Sequence, residues 1–211
     1  MLLQNFAQND KVEVRTLSAV LLAGGESRRM GRDKATIEVG GRPLWERQLE
    51  ILRVLTPERI FVSARTVPSW LPADAELLLD DPPSRGPLSG LTKALVAMRT
   101  THLLALAVDM PFMASEQLRN LCSLAQAGWG VVPMIRDQAE PLAAIYPAEA
   151  AADFAAALAG TDFSLQAIIR KLAVDEKVQV VSVAAGDAHL YRSVNQSSDF
   201  KEGRFTNRPP K

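Results

Sequence analysis

The chain has 211 residues, enough for one domain with a full hydrophobic core, and its 47% apolar and 23% charged residues are ordinary for a globular protein. Its 24 basic side chains balance 24 acidic ones, so the formal net charge is zero, which argues against a broad nucleic-acid-binding surface. Cys122 is the single cysteine, which excludes an internal disulfide framework and fits a reducing compartment; no apolar run approaches the ~20 residues that span a bilayer, so a cytoplasmic protein without membrane attachment is expected.

Residues 1–15 are polar and unpatterned and read as a flexible arm with no signal-peptide pattern. Leu17 to Ala23 is an unbroken apolar run, the pattern of a strand buried on both faces of a parallel sheet. Gly24 and Gly25 follow, a turn in which the backbone can approach a ligand closely. Arg28, Arg29, Arg32 and Lys34 come next. A glycine turn offers N–H groups and the cations offer charge, so together they suit a phosphate chain. The alternating A-T-I-E-V reads as a short strand broken by G-G-R-P.

Pro43 suits the first turn of a helix. On that helix Leu44, Trp45, Leu49, Ile51, Leu52 and Leu55 share one side, up to the break at Thr56-Pro57. R-I-F-V-S-A and A-E-L-L-L-D are the next strands, the latter ending at Asp80-Asp81. P-P-S-R-G-P-L-S-G-L is a loop whose G-P-L-S-G core opens a helix through Arg99. H-L-L-A-L-A-V is a buried strand ending in Asp109-Met110-Pro111, and a helix runs from Ser115 through Ala127. W-G-V-V-P-M and P-L-A-A-I-Y are strands around a polar turn. Helices over Ala148–Leu158 and from Ser164 to Leu172 precede a late strand, V-Q-V-V-S-V, and S-S-D-F caps a final helix. The order predicts an α/β, Rossmann-like fold: a mainly parallel sheet with helices on both faces. One domain over 16–202 is expected, with a flexible tail at 203–211.

In open α/β sheets, ligands bind beyond the carboxyl ends of the strands. Gly24-Gly25, Asp80 and Asp109 all fall there. An aspartate directly after a buried strand is placed to hold a hard cation or to cap a turn. His102 and His189, the only histidines, do not make a His/Cys zinc site by themselves.

The stretch L-A-G-G-E-S-R-R-M-G-R-D-K resembles the opening motif of the molybdenum cofactor guanylyltransferases and their nucleotidyltransferase relatives. It has neither P-loop nor G-x-G-x-x-G spacing. The resemblance implies attack by a molybdopterin phosphate oxygen on the α-phosphorus of GTP, release of pyrophosphate, and Mg²⁺ as cofactor. It places Leu22, Ala23, Gly24, Gly25, Arg28, Lys34, Asp80, Gly86, Pro87 and Leu88 at the nucleotide. It makes Arg29 and Lys34 the phosphate cations and Asp109 the metal ligand. Counting back from G-P-L-S-G favours Asp80 over Asp81 as the acceptor for guanine's Watson–Crick N–H groups. Asp33 either orients Lys34 or caps a turn.

Two departures stand out. One glycine, Gly31, precedes the x-D-K where many relatives have two. The family's N-x-N-T-P reads here Ser193-Val194-Asn195-Gln196-Ser197, so Asn195 stands for the second asparagine and Ser193 replaces the first. Asn195 and, weakly, the strand Glu140 to Tyr146 are placed on the acceptor side. The expected partners are GTP and molybdopterin, with proteins of the molybdenum cofactor pathway as further partners. The alternatives are a cytidylyltransferase or sugar-phosphate nucleotidyltransferase, and a nucleotide-binding regulator without catalysis.

Overall fold

The computed structural model describes residues 16–24 and 33–194. The N-terminal arm, the stretch 25–32 with Gly25, Arg28, Arg29 and Gly31, and everything from Asn195 onward, including the expected final helix and tail, lie outside the described residues.

In chain order the strands and helices are β1 (Leu17–Leu22), β2 (Glu38–Val39), β3 (Arg42–Pro43), α1 (Leu44–Arg53), β4 (Arg59–Ala64), β5 (Glu76–Leu79), α2 (Pro87–Ala97), β6 (His102–Ala107), α3 (Ser115–Leu124), β7 (Gly130–Ile135), β8 (Gln138–Ala139), β9 (Ala143–Pro147), α4 (Ala151–Ala159), α5 (Leu165–Val174) and β10 (Val178–Ser182). The main sheet runs β10-β7-β9-β6-β1-β4-β5, with β8 hairpinned onto β7. β1 pairs in parallel with β4 and β6, β4 with β5, and β10 with β7. β9 enters antiparallel between β6 and β7. The expected α/β fold with a mainly parallel sheet is the one observed.

The continuous apolar strands are explained by burial on two faces. Successive residues of a strand point to opposite faces. Ala19 and Leu21 of β1 join the apolar cluster that contains Leu44, Leu49 and Leu52 of α1 and Leu118 and Leu121 of α3. Val20 and Leu22 join the opposite cluster, with Leu88, Leu91 and Leu95 of α2, Phe154 of α4 and Ile168, Ile169 and Leu172 of α5. Strand β6 is buried along its whole length. Among the described residues, no helix is long and apolar enough to cross a membrane.

Some boundaries differ from the expectation. Lys34–Thr36 form a 3₁₀ turn, leaving only Glu38–Val39 as strand, because the Asp33 carboxylate accepts from Ala35 N at 2.9 Å and caps the turn. Pro43 is the N-cap residue of α1 rather than part of its first turn; its ψ of 150° is extended. Helix α3 stops at Leu124, where the chain turns into a bridge between Gln126 and Trp129. Ser164 caps α5 as expected, its Oγ accepting from Ala167 N.

Candidate active site

Three parallel strands, β1, β4 and β6, deliver their carboxyl ends to one cleft. Leu22, Ala23 and Gly24 line it from the end of β1, Ser63 from β4, and Ala107, Val108 and Asp109 from β6. Asp80 enters just past β5, Gly86 and Pro87 from the start of α2, Lys34 from the 3₁₀ turn, and Leu142 from the approach to β9. The backbone knits these ends together: Ala23 N donates to Ser63 O at 2.8 Å, Asp80 N to Ala64 O at 3.0 Å, and Val108 N to Leu22 O at 3.1 Å. Val108 therefore forms wall, as its apolar side chain suggests.

The two candidate aspartates separate clearly. Asp80 lines the cleft; its Oδ2 accepts from Ser84 Oγ at 2.6 Å and its Oδ1 from Ser63 Oγ at 3.4 Å. Ser84 Oγ in turn accepts from Gly86 N at 3.1 Å. Asp81 points elsewhere, to Lys93 at 2.8 Å, with its side chain 85% exposed. Ionised carboxylate oxygens accept more than one hydrogen bond each, so Asp80 keeps acceptor capacity beyond its two serines.

Across the cleft, Lys34 Nζ and Asp109 Oδ2 form an ion pair at 3.3 Å, with side chains 17% and 21% exposed. Asp33 fixes the Lys34 turn from both carboxylate oxygens: Oδ1 caps Ala35 N, and Oδ2 accepts from Trp70 Nε1 at 2.9 Å. Trp70 stacks on Trp45 with ring centroids 5.2 Å apart. Asp33 is thus the turn's cap. On the far side, Val194 N donates to Asp109 O at 2.8 Å, which carries the Ser193–Val194 segment to Asp109.

Among the described residues the cleft brings together Lys34, two separated carboxylates and a helix N-terminus, a set that suits a polyphosphate with a nucleobase. Among the described residues there is no group of three His, Cys, Asp or Glu side chains able to hold a metal ion. That donor set fits a hard cation held by one carboxylate together with phosphate oxygens and water, the usual manner of Mg²⁺.

Not every expected contact lines the cleft. The Leu88 side chain is fully buried in the apolar cluster beneath α2, so its contact with a ligand is limited to backbone. Gly25, Arg28, Arg29 and Asn195 fall outside the described residues. Glu140 lies in the turn between β8 and β9, and burial raises its carboxyl above the usual range. Ser63 and Ser84 are not singled out by sequence, and Gly90 is read there only as the closing glycine of G-P-L-S-G. Ser63, a hydroxyl at the carboxyl end of an otherwise apolar strand, offered a signal. Gly90 shows its reason only in packing: a Cβ there would come within 2.2 Å of Ser63 Oγ and 2.9 Å of Leu22 Cδ2.

Comparisons with known proteins show the family to which the chain is related. Residues 19–178 match the family described as the MobA-like NTP transferase domain. A probable molybdenum cofactor guanylyltransferase of Opitutus terrae is 33% identical over 186 residues, covering 87% of this chain and 92% of that one. The crystal structure of molybdopterin-guanine dinucleotide biosynthesis protein A from Archaeoglobus fulgidus has the same fold, with a TM-score of 0.68, 23% identity, and 89% and 96% of the two chains covered. A methylerythritol phosphate cytidylyltransferase from Thermus thermophilus also shares the fold, at a TM-score of 0.61, 17% identity, and coverage of 87% and 95%. The chain belongs to the MobA-like NTP transferase family and is a nucleotidyltransferase.

Proposed function

We propose that this protein transfers GMP from GTP to molybdopterin with release of pyrophosphate, and that residues 16–202 form the single nucleotidyltransferase domain that does so. The observation that carries the reading is the placement of Asp80 and the Lys34–Asp109 pair in one cleft at the carboxyl edge of the sheet. The name of the Opitutus relative supports the same substrates.

Guanine presents two N–H donors on its Watson–Crick edge, which the Asp80 carboxylate accepts; cytosine lacks that paired donor face. Gly24 lies beside Asp80 on the floor of the cleft, where a Cβ would take space 3.7 Å from Asp80 Oδ2. The triphosphate then runs toward Lys34. An oxygen of the molybdopterin phosphate attacks the α-phosphorus, the bond from that phosphorus to the α–β bridging oxygen breaks, and pyrophosphate leaves. Nucleophile and electrophile are both anionic, so the protein's task is alignment and charge stabilisation rather than covalent chemistry. Lys34 supplies charge at the phosphates, joined in this reading by Arg28 and Arg29. Asp109 would hold Mg²⁺, which would neutralise phosphate charge when bound. Asn195 and the Glu140–Tyr146 strand serve the acceptor side. The setting is cytoplasmic, with partner proteins drawn from the molybdenum cofactor pathway.

Equilibrium binding of GTP, CTP, ATP and UTP with Mg²⁺ tests the base assignment. GTP is expected to bind most tightly. Preferred binding of CTP would instead select the cytidylyltransferase reading.

A further inference from the structure

Helix α1 carries a clamp on the loop that presents Asp109. Gln48 is fully buried, and its Nε2 donates a 2.6 Å hydrogen bond to the carbonyl oxygen of Met110. A carbonyl needs a donor at that distance, so the amide nitrogen must face it. The neighbouring Arg47 reaches the next carbonyl, Pro111 O, through Nη2 at 3.4 Å. The same 10-residue helix is tied to the Lys34 turn, because Leu44 N donates to Ile37 O at 2.9 Å and Ile37 N to Lys34 O at 3.1 Å. One rigid element therefore braces both halves of the Lys34–Asp109 pair.

Stability alone does not account for Gln48. Its Oε1 is buried and has no hydrogen-bond partner among the described residues. The buried, unpaired oxygen offsets much of the stability that the Nε2 hydrogen bond contributes. Its neighbours on the buried face of α1 are Leu44, Leu49 and Leu52, among which Met or Leu would pack without an orphaned oxygen.

We propose that Gln48 is a positioning residue: by holding the Met110 carbonyl, it aims the Asp109 carboxylate at the divalent cation carried by the nucleotide. The proposal rests on the nucleotidyltransferase reading of the cleft. Outer groups that orient a metal ligand shape metal affinity although they never touch the ion.

The test uses the full chain, Mn²⁺ as probe cation, and a GTP analogue that cannot be cleaved between the α- and β-phosphates. Free Mn²⁺ is followed by electron paramagnetic resonance, and the thermal midpoint is measured in parallel. Gln48→Met is expected to leave the midpoint equal or higher and analogue binding without metal unchanged. Its Mn²⁺ affinity in the nucleotide complex should weaken by about tenfold or more. In Gln48→Glu the neutral carboxyl can still donate to Met110 O and the ionised one cannot. Its Mn²⁺ affinity relative to the parent at the same pH should therefore approach unity at low pH and fall as pH rises. That direction is opposite to the loss of metal binding expected from protonating a ligand carboxylate. Unchanged Mn²⁺ affinity in Gln48→Met, or loss of its cooperative unfolding, would overturn the proposal. Failure of the parent itself to bind Mn²⁺ with the analogue would instead bring down the underlying reading of the cleft.

Discussion

Asp109 and Lys34 face each other at 3.3 Å, so each sets the charge that the other presents to the cleft. Asp109→Asn keeps the shape and removes one charge; it should preserve the fold, abolish most pyrophosphate release and flatten the dependence of turnover on magnesium. Magnesium titrations that superimpose for parent and variant would reduce Asp109 to a turn residue. Lys34→Ala should lower turnover by about a hundredfold or more while weakening GTP binding much less, since its charge acts mainly as the leaving group develops. Asp80→Ala should cost about 1.5–3 kcal/mol of GTP binding and erase most of the preference over CTP, measured by competition. The roles of Asp80 and Asp81 are legible in sequence only through spacing from G-P-L-S-G; the structure adds the physical reason for their difference, the Lys93 partner that draws Asp81 away. Gln48 gave no signal, because its meaning depends on a carbonyl 62 residues away.

Among the elements, α2 governs the cleft through close approach. Gly90→Ala would drive a methyl group into Ser63 Oγ at 2.2 Å and Ser63 Cβ at 2.9 Å. Strand or helix has to move, at about 1–3 kcal/mol of stability, and with Ser63 goes one of the hydroxyls that orient Asp80. Calorimetric unfolding together with GTP titration should show both losses; neither would change if α2 could shift freely. At the other end of the sheet, Asp153 of α4 ties α5 and the approach to β10 through Lys171 at 2.6 Å and Lys177 at 2.5 Å. Partial burial pushes its carboxyl up, but the hydrogen bonds from the two lysines outweigh it and hold the group below its ordinary 3.8. A depressed carboxylate contributes stability that is fully present above the ordinary value and lost as pH falls through the lower, folded one. The stability gap between the parent and Asp153→Asn should therefore be constant near neutral pH and shrink below 3.8. A gap that persists into strong acid would assign the tie to packing instead.

On the scale of the molecule, the continuous apolar runs and the Gly24 turn announced the parallel half of the sheet, since burial on two faces leaves no other pattern. The antiparallel entry of β9 between β6 and β7 was not legible: local periodicity is the same for either direction, and the order is decided by pairing across the sheet. That entry matters because it brings Leu142 to the cleft beside Asp109. The most direct measurement of the central claim is product analysis with purified protein, Mg²⁺, molybdopterin and each nucleoside triphosphate in turn. Pyrophosphate and a guanine dinucleotide form of the pterin should appear with GTP alone. A cytosine dinucleotide from CTP, or pyrophosphate release that does not require molybdopterin, would contradict it.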